Sequence, residues 1–361
     1  MKKINFYSGP AILPEEVLLQ AQAAIQDFAG TGLSILEISH RSKEFVHVME
    51  EARALVKELM QLDADKEVLF LQGGASSQFY MIPMNLLNEN ETATYFDTGN
   101  WAHNAIVEAK NFGQVHIACS SKAQSYNHIP KLYDFVDSKY VHLTTNNTIY
   151  GTQFSNLQLN DFKKEWSLVA DMSSDIFSRD IDYNKYDLIY AGAQKNMGPA
   201  GATLVVVNKN ILGKVNRALP KMIDYRVHIE KDSMYNTPSV FAVYVSWLTL
   251  KWIKGKSLKD IAASNQRKAD KLYAAIDKSG VFEGTVAKGD RSQMNVCFGV
   301  KPVLDKTMIE EQFLQFVAAQ NIVGIKGYRT VGGFRASIYN AMPESGVDAL
   351  VEAMAEFERT L

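Results

Sequence analysis

Cysteine is nearly missing from this sequence. Cys119 and Cys297 are the only two among 361 residues, and neither sits in a CxxC or Cys/His spacing that would hold a metal. So few thiols fit a reducing compartment. Net charge is also missing: 38 Lys and Arg against 40 Asp and Glu leave −2, which removes any electrostatic argument for nucleic acid or an anionic membrane. No uncharged apolar run reaches the roughly 18 residues that suggest a membrane span. The opening MKKINFYSGP has two lysines but no apolar segment behind them, so it does not read as a signal peptide. There is no internal repeat, low-complexity tract or long block of like charge.

What remains is ordinary for a globular protein, 47% hydrophobic and 22% charged. A chain of this length has room for a large core, and one big plus one small domain is the natural division. These bulk features lead us to expect a cytoplasmic protein.

The most informative stretch is Leu188 to Gly198, LIYAGAQKNMG. Leu188, Ile189 and Tyr190 read as a buried strand ending in small residues, which let backbone and ligand approach closely. Lys195 follows, between Gln194 and Asn196, before the turn at Gly198 and Pro199. A solvated surface lysine is the plain alternative. Upstream, the apolar run from Ser167 delivers Asp171 at a second strand end. An aspartate and a lysine so placed are what pyridoxal phosphate needs. The amine forms a Schiff base, and the carboxylate keeps the pyridine nitrogen protonated so that the ring draws electrons.

Other strand ends add to this. Val68 to Leu71 runs into GGASSQF, a strand, glycine turn and helix start whose free N–H groups suit a phosphate; a plain strand-to-helix turn has the same pattern. It lacks the spacing of a P-loop or a dinucleotide fingerprint. Thr92 to Phe96 leads to Trp101, either a ring-stacking platform or core packing. Tyr140 to Thr144 leads to Asn146, Asn147 and Thr148, which offer donors and acceptors or merely cap a turn. Trp166, Trp247 and Trp252 are assigned to packing. Ala202 to Val207 reads as one more strand. Strands separated by helical lengths predict a parallel sheet, whose ligand sites lie at the carboxyl ends. Gly73–Ser77, Trp101, Thr148, Asp171 and Lys195 all fall there.

Elsewhere the pattern predicts a helix opened by Pro14, with Val17, Leu18, Ala21, Ala24, Ile25 and Phe28 as its apolar stripe. A second follows His40 and Arg41, with no clear start because Ser42 is not part of a capping box. His40 and Arg41 are either solvated or an anion-capturing pair. Ile223 to Thr237 reads as a long loop. Helices are expected over Ser239 to Lys254, stopped at Gly255, and over Leu258 to Lys278. The last third alternates strands and helices as an α+β unit. There Arg335 stands in an apolar strand and needs a partner, a substrate carboxylate or an internal acid.

Taken together, NFYSGPAILPEEVL, EISHRSKEF, FLQGGASSQF, TGNWA, NNTIYGTQ, ADMSSDI, YAGAQKNMGPAG, DSMYNTPSVFA, RSQMNV and KGYRTVGGFRASIYNAMP resemble the phosphoserine aminotransferase family. These are class V aminotransferases dependent on pyridoxal 5'-phosphate. The resemblance implies an α/β fold of the aspartate-aminotransferase type (fold type I). A large domain with a mainly parallel seven-stranded sheet would span 16–255, a small α+β domain 256–361, and an arm at 1–15 would go with the small domain. It implies that Lys195 carries the cofactor, Asp171 meets the pyridine nitrogen and Trp101 stacks on the ring. Ala75, Ser76 and Gln194 would hold the phosphate, and Thr148 would bond near the phenolic oxygen. Asn236 and Thr237 would reach that phosphate from the second subunit of a homodimer. Arg335 would hold the substrate α-carboxylate, His40 and Arg41 the distal acid, and the partner chain's Arg329 the substrate phosphate.

Tyr328 stands where many members have histidine, and Ser76 where some have arginine. The implied reaction joins L-glutamate and 3-phosphohydroxypyruvate to O-phospho-L-serine and 2-oxoglutarate in serine biosynthesis, with 4-phosphohydroxy-L-threonine of pyridoxine biosynthesis as a second pair. Two other readings are another enzyme of the same fold, such as a lyase with a cysteine nucleophile, and a non-catalytic phosphometabolite binder. No metal, nucleic acid or membrane is implied.

Overall fold

Residues alternate across the apolar runs, and that alternation decides the architecture. Val68 and Phe70 belong to one buried cluster, Leu69 and Leu71 to another on the opposite face. Strands covered on both faces read as unbroken apolar runs, the mark of a sheet sandwiched between helices. The computed structural model describes residues 2–154 and 162–361.

The first half of the chain comprises β1 (Ile4–Asn5), α1 (Glu15–Gln26), α2 (Lys43–Leu59), β2 (Lys66–Leu71), α3 (Gly74–Leu86), β3 (Thr92–Asp97), α4 (Asn100–Ala109) and β4 (Gln114–Ser120). After these come β5 (Tyr140–Thr144), the short β6 (Asn146–Asn147) and β7 (Thr152–Gln153), β8 (Ser167–Asp171), β9 (Leu188–Gly192) and β10 (Thr203–Asn208). The rest holds α5 (Tyr225–Glu230), α6 (Val240–Lys256), α7 (Leu258–Lys278), β11 (Phe282–Gly284) and β12 (Asn295–Val300). It ends with α8 (Lys306–Ala319), β13 (Ile322–Val323), β14 (Phe334–Ser337) and α9 (Glu344–Thr360).

Seven strands form the main sheet in the order β2-β10-β9-β8-β5-β3-β4. The pairs from β9 across to β4 are parallel, whereas β10 runs antiparallel to both β9 and β2. The expectation of a parallel sheet is therefore right for most of it and fails at β10. β9 and β10 are joined by a connection too short for a crossover helix, so only an antiparallel pair is open to them. One face of the sheet carries α1, α2 and α6, the other α3 and α4.

A second core gathers α7, α8, α9 and the antiparallel sheet β11-β12-β14. Phe6 lies in this core, and β1 pairs in parallel with β13. Among the described residues, no helix is long and apolar enough to cross a membrane.

Four local expectations need correction. The stripe of α1 is narrower than predicted: Val17, Ala21 and Ala24 are buried, but Leu18 and Ile25 are exposed, because they lie one step further round the helix. The start of α2 is well defined after all, since Ser42 is its N-cap and its hydroxyl accepts from Phe45 N at 3.3 Å. The supposed loop at Ile223 to Thr237 contains α5, nucleated by Asp224, whose carboxylate accepts from Arg226 N. Gly255 does not stop α6. The chain breaks at Ser257 instead, where φ is 67° and the hydroxyl caps α7.

Candidate active site

Asp171 ends β8 on the same face as Val169, since side chains alternate. That face is the one covered by α3 and α4, where Ala75 and Trp101 also pack. Its carboxylate is 4% exposed and accepts from Ser173 N at 2.9 Å. Burial raises its pKa, and the Lys195 charge works against that rise. Lys195 lies in the turn after β9, and its Nζ donates to Thr148 Oγ1 at 2.8 Å. Burial pushes the amine down to about 8, with Asp171 opposing and Arg335 adding to the fall. An amine with this pKa is partly neutral near physiological pH, which is what a nucleophile and proton carrier requires.

Gln194 folds back over β9 so closely that a Cβ at Gly192 would lie 2.6 Å from its Oε1. The N-terminal arm crosses the same turn, Ala11 N donating to the Gln194 carbonyl.

The glycine turn after β2 is built for close approach. Gly73 caps α3 with φ 90° and no side-chain cap, and a Cβ there would sit 1.9 Å from Ser77 Oγ. The first N–H groups of α3, at Gly74, Ala75 and Ser76, thus face outward with the positive helix end behind them. The Gly73→Ala variant combines a left-handed φ with that clash. It should lose roughly 1–3 kcal/mol of stability and bind phosphate-bearing ligands more weakly, to be read by urea unfolding and equilibrium dialysis. Gln72 Nε2 donates to the Thr237 carbonyl, and Asn236 lines a cleft of about 330 Å³ together with Gly73 and Ser77. One chain therefore brings Asn236 and Thr237 to the rim of its own glycine turn.

Trp101 is the second residue of α4, whose N-cap is Gly99. A Cβ at Gly99 would meet Asn147 Oδ1 at 2.5 Å, so glycine is what lets this helix start lie against the segment carrying Thr148.

Arg335 is 9% exposed in β14. Its guanidinium donates to the Thr148 carbonyl at 3.3 Å and to Ser8 Oγ at 2.7 Å, and its Nε is buried without a partner. Among the described residues no carboxylate pairs with it. The internal-acid alternative is therefore not realised, and the fork keeps capacity for an external one.

His40, Arg41 and Arg329 are not brought into this group. Arg41 and Arg329 are exposed and His40 partly so, in the segment before α2 and in the 327–333 turn. Ser8 and Asn196 are residues that the sequence reading passed over. Ser8 lies in the N-terminal arm, and nothing local signals that it meets a residue more than 300 positions away.

These groups fit pyridoxal phosphate by their own chemistry. An uncapped helix start suits the phosphate, a buried carboxylate suits a protonated ring nitrogen, and an amine of lowered pKa suits the carbonyl carbon. Two buried acceptors beside them, Thr144 Oγ1 and Asn147 Oδ1, also lack a protein partner. Fold and donor set together define a pyridoxal-phosphate-dependent aminotransferase, and residues 4–350 match the family model of the class V aminotransferases. The phosphoserine aminotransferase of Parabacteroides distasonis is 54% identical, over 99% of this chain and 99% of its own length. The solved phosphoserine aminotransferase of Bacillus circulans subsp. alkalophilus superposes with a TM-score of 0.94 at 42% identity, covering 99% of each chain. A pyridoxal-phosphate-bound one from Trichomonas vaginalis gives 0.91 at 34% identity, over 98% of this chain and 100% of its own. The chain belongs to the phosphoserine aminotransferase family. The fold class, the cofactor and the transaminase chemistry expected from the sequence therefore hold.

Proposed function

We propose that this chain exchanges an amino group between L-glutamate and 3-phosphohydroxypyruvate, giving O-phospho-L-serine and 2-oxoglutarate. The observation that carries the reading is the convergence of Lys195, Asp171, Thr148 and Arg335, whose guanidinium meets no carboxylate among the described residues. When bound, the cofactor supplies the electron sink that takes up the amino group in one half-reaction and gives it up in the other. Lys195 Nζ would hold the cofactor and, freed by the incoming amine, would take the proton from the Cα of the amino donor. In the other half-reaction it would deliver a proton to the Cα of the new amino acid. Thr148 Oγ1 orients the Lys195 amine. Asp171 would keep the ring nitrogen protonated, and Trp101 would stack on the ring. Gly74, Ala75 and Ser76 would bind the phosphate with Gln194, and Asn236 and Thr237 would reach it from the second subunit. Arg335 binds the substrate α-carboxylate, with Ser8 fixing the guanidinium plane. The family resemblance assigns His40 and Arg41 to the distal acid and the partner chain's Arg329 to the substrate phosphate, although one chain alone does not bring them to this group.

The second pair, 4-phosphohydroxy-L-threonine and its keto acid, carries the same phosphate and carboxylate handles and belongs to this proposal. So does a homodimer that shares its active sites. Met222 and Tyr235, in the segment that leads to Asn236, are exposed apolar side chains that a second copy would cover. The domain division at 16–255 and 256–361, with 1–15 joined to the smaller part, is supported by the separate core that includes Phe6. A cytoplasmic location is proposed from composition. The lyase alternative needs an accessible, ionisable thiol. Both cysteines are buried, and burial pushes each up to about 12.

The test is the absorption spectrum of the purified protein with pyridoxal phosphate. A yellow band that bleaches with L-glutamate and returns with 3-phosphohydroxypyruvate is expected. A band that bleaches but ignores the phosphorylated keto acid would keep the transaminase and remove the substrate. No band would remove the whole reading.

A further inference from the structure

Lys268 is a charged side chain with no charged partner. It is 1% exposed on α7, and among the described residues no carboxylate is bonded to it. Glu344, an acid whose charge acts on Lys268, is engaged by Arg267 and Ser264. Burial lowers the Lys268 pKa to about 7, so an ammonium here must be offset by other groups. The Lys268 Nζ donates to the carbonyls of Ile338 at 3.0 Å, Tyr339 at 2.7 Å and Met342 at 3.1 Å. All three of its donors are used, and all three acceptors belong to the turn between β14 and α9.

The other side of this turn faces the candidate active site. Asn340 N donates to Asn196 Oδ1 at 3.0 Å, and Asn196 is the neighbour of Lys195. The Asn340 side chain donates to the Phe177 carbonyl and accepts from Asn265, which is one helical turn before Lys268 on α7. Tyr339 OH donates to the Ser8 carbonyl at 2.8 Å, and Ser8 Oγ receives Arg335. One turn thus meets both the lysine segment through Asn340 and the arginine fork through Tyr339 and Ser8. Lys268 holds that turn from behind.

We propose that Lys268 is a positioning residue, whose three carbonyl bonds set the 338–342 turn and through it the relative placement of Lys195 and Arg335. The proposal rests on the roles given above to those two residues. A hydrophobic replacement removes all three bonds. The Tyr339 carbonyl keeps Met342 N, but the carbonyls of Ile338 and Met342 lose the donor given above, so the turn must shift to find others. Misplacement of reacting groups by about 1 Å can cost ~10²-fold in rate, and here it would act on substrate carboxylate and amine together.

The experiment compares the parent holoenzyme with the Lys268→Met and Lys268→Gln variants. The Lys268→Gln variant keeps two N–H donors and serves where Lys268→Met does not fold. Three readouts are taken: KM for L-glutamate against kcat, the pH midpoint of the bound cofactor's absorption band without substrate, and a double-mutant cycle with Asn196→Ala. We expect kcat/KM to fall by about 10²-fold in Lys268→Met, with a raised KM, a smaller loss in Lys268→Gln, a moved pH midpoint, and effects that do not add with Asn196→Ala. A lowered melting temperature with KM and midpoint unchanged would mean that Lys268 only stabilises the fold, and would overturn the proposal. Additive effects in the cycle would overturn it too. The response of the parent's band to glutamate tests the underlying reading separately.

Discussion

Replacing Lys195 by alanine should abolish both half-reactions, lowering turnover by at least about 10⁴-fold, the upper range for a single acid–base group. The size follows from the number of tasks that meet at Nζ. In the proposed reading the amine attaches the cofactor and carries the proton at Cα, and burial tunes it for both. At its ordinary pKa of 10.5, only about 0.03% of a lysine would be neutral at pH 7; at about 8 the fraction is roughly one tenth. The shift therefore raises the reactive amine some ~300-fold. Its main cause is burial, which disfavours the charged form of a base and so moves the pKa down.

The direction gives a test that needs no substrate. Covalent uptake of pyridoxal phosphate by the apoenzyme should rise about tenfold from pH 7 to pH 9, with its midpoint near 8. A flat profile over that range, or transamination by the alanine variant above the uncatalysed rate, would remove Lys195 from this role. Borohydride reduction of the holoenzyme should fix the cofactor to Lys195 and leave the alanine variant unlabelled.

How much of this could be read from the chain depends on whether the signal is local. The bounds of β5 and α7 are those the sequence predicts, since apolar runs and helical periodicity are properties of neighbouring residues. The strand ends that carry Asp171 and Lys195 were legible for the same reason. The antiparallel direction of β10 was not, because periodicity is blind to direction. α5 was hidden by its six residues, too few to show a period. Arg335 announced itself as an arginine in an apolar strand, but its partner Ser8 lies at the other end of the chain. Lys268 was invisible for a related reason. Its acceptors are backbone carbonyls, which any residue supplies and no sequence pattern marks.

The Asp171→Asn variant should separate catalysis from stability. The amide has the size and shape of the carboxylate, and its oxygen can still accept from Ser173 N. Only the charge is lost. Turnover should nevertheless fall by roughly 10²–10³-fold, as when one preorganised polar group is removed from a site, because a neutral amide cannot keep a ring nitrogen protonated.

Stability should move differently. Burial raises the Asp171 pKa above its unfolded value, so this carboxylate favours the fold at low pH and weakens it as pH climbs through the folded pKa. At pH 7 the native state carries that burden and the amide does not. The apo form of Asp171→Asn should therefore unfold at a urea concentration no lower than the parent does. A second consequence concerns Lys195, since the Asp171 charge, with Asp175 adding to it, holds the amine's pKa up against burial. Without it the pKa must fall, and the midpoint for covalent cofactor uptake should move below 8. A variant that lost stability and activity together, with the midpoint unmoved, would make Asp171 a structural residue. Loss of activity alone, with the midpoint lowered, places its charge against both the amine and the ring.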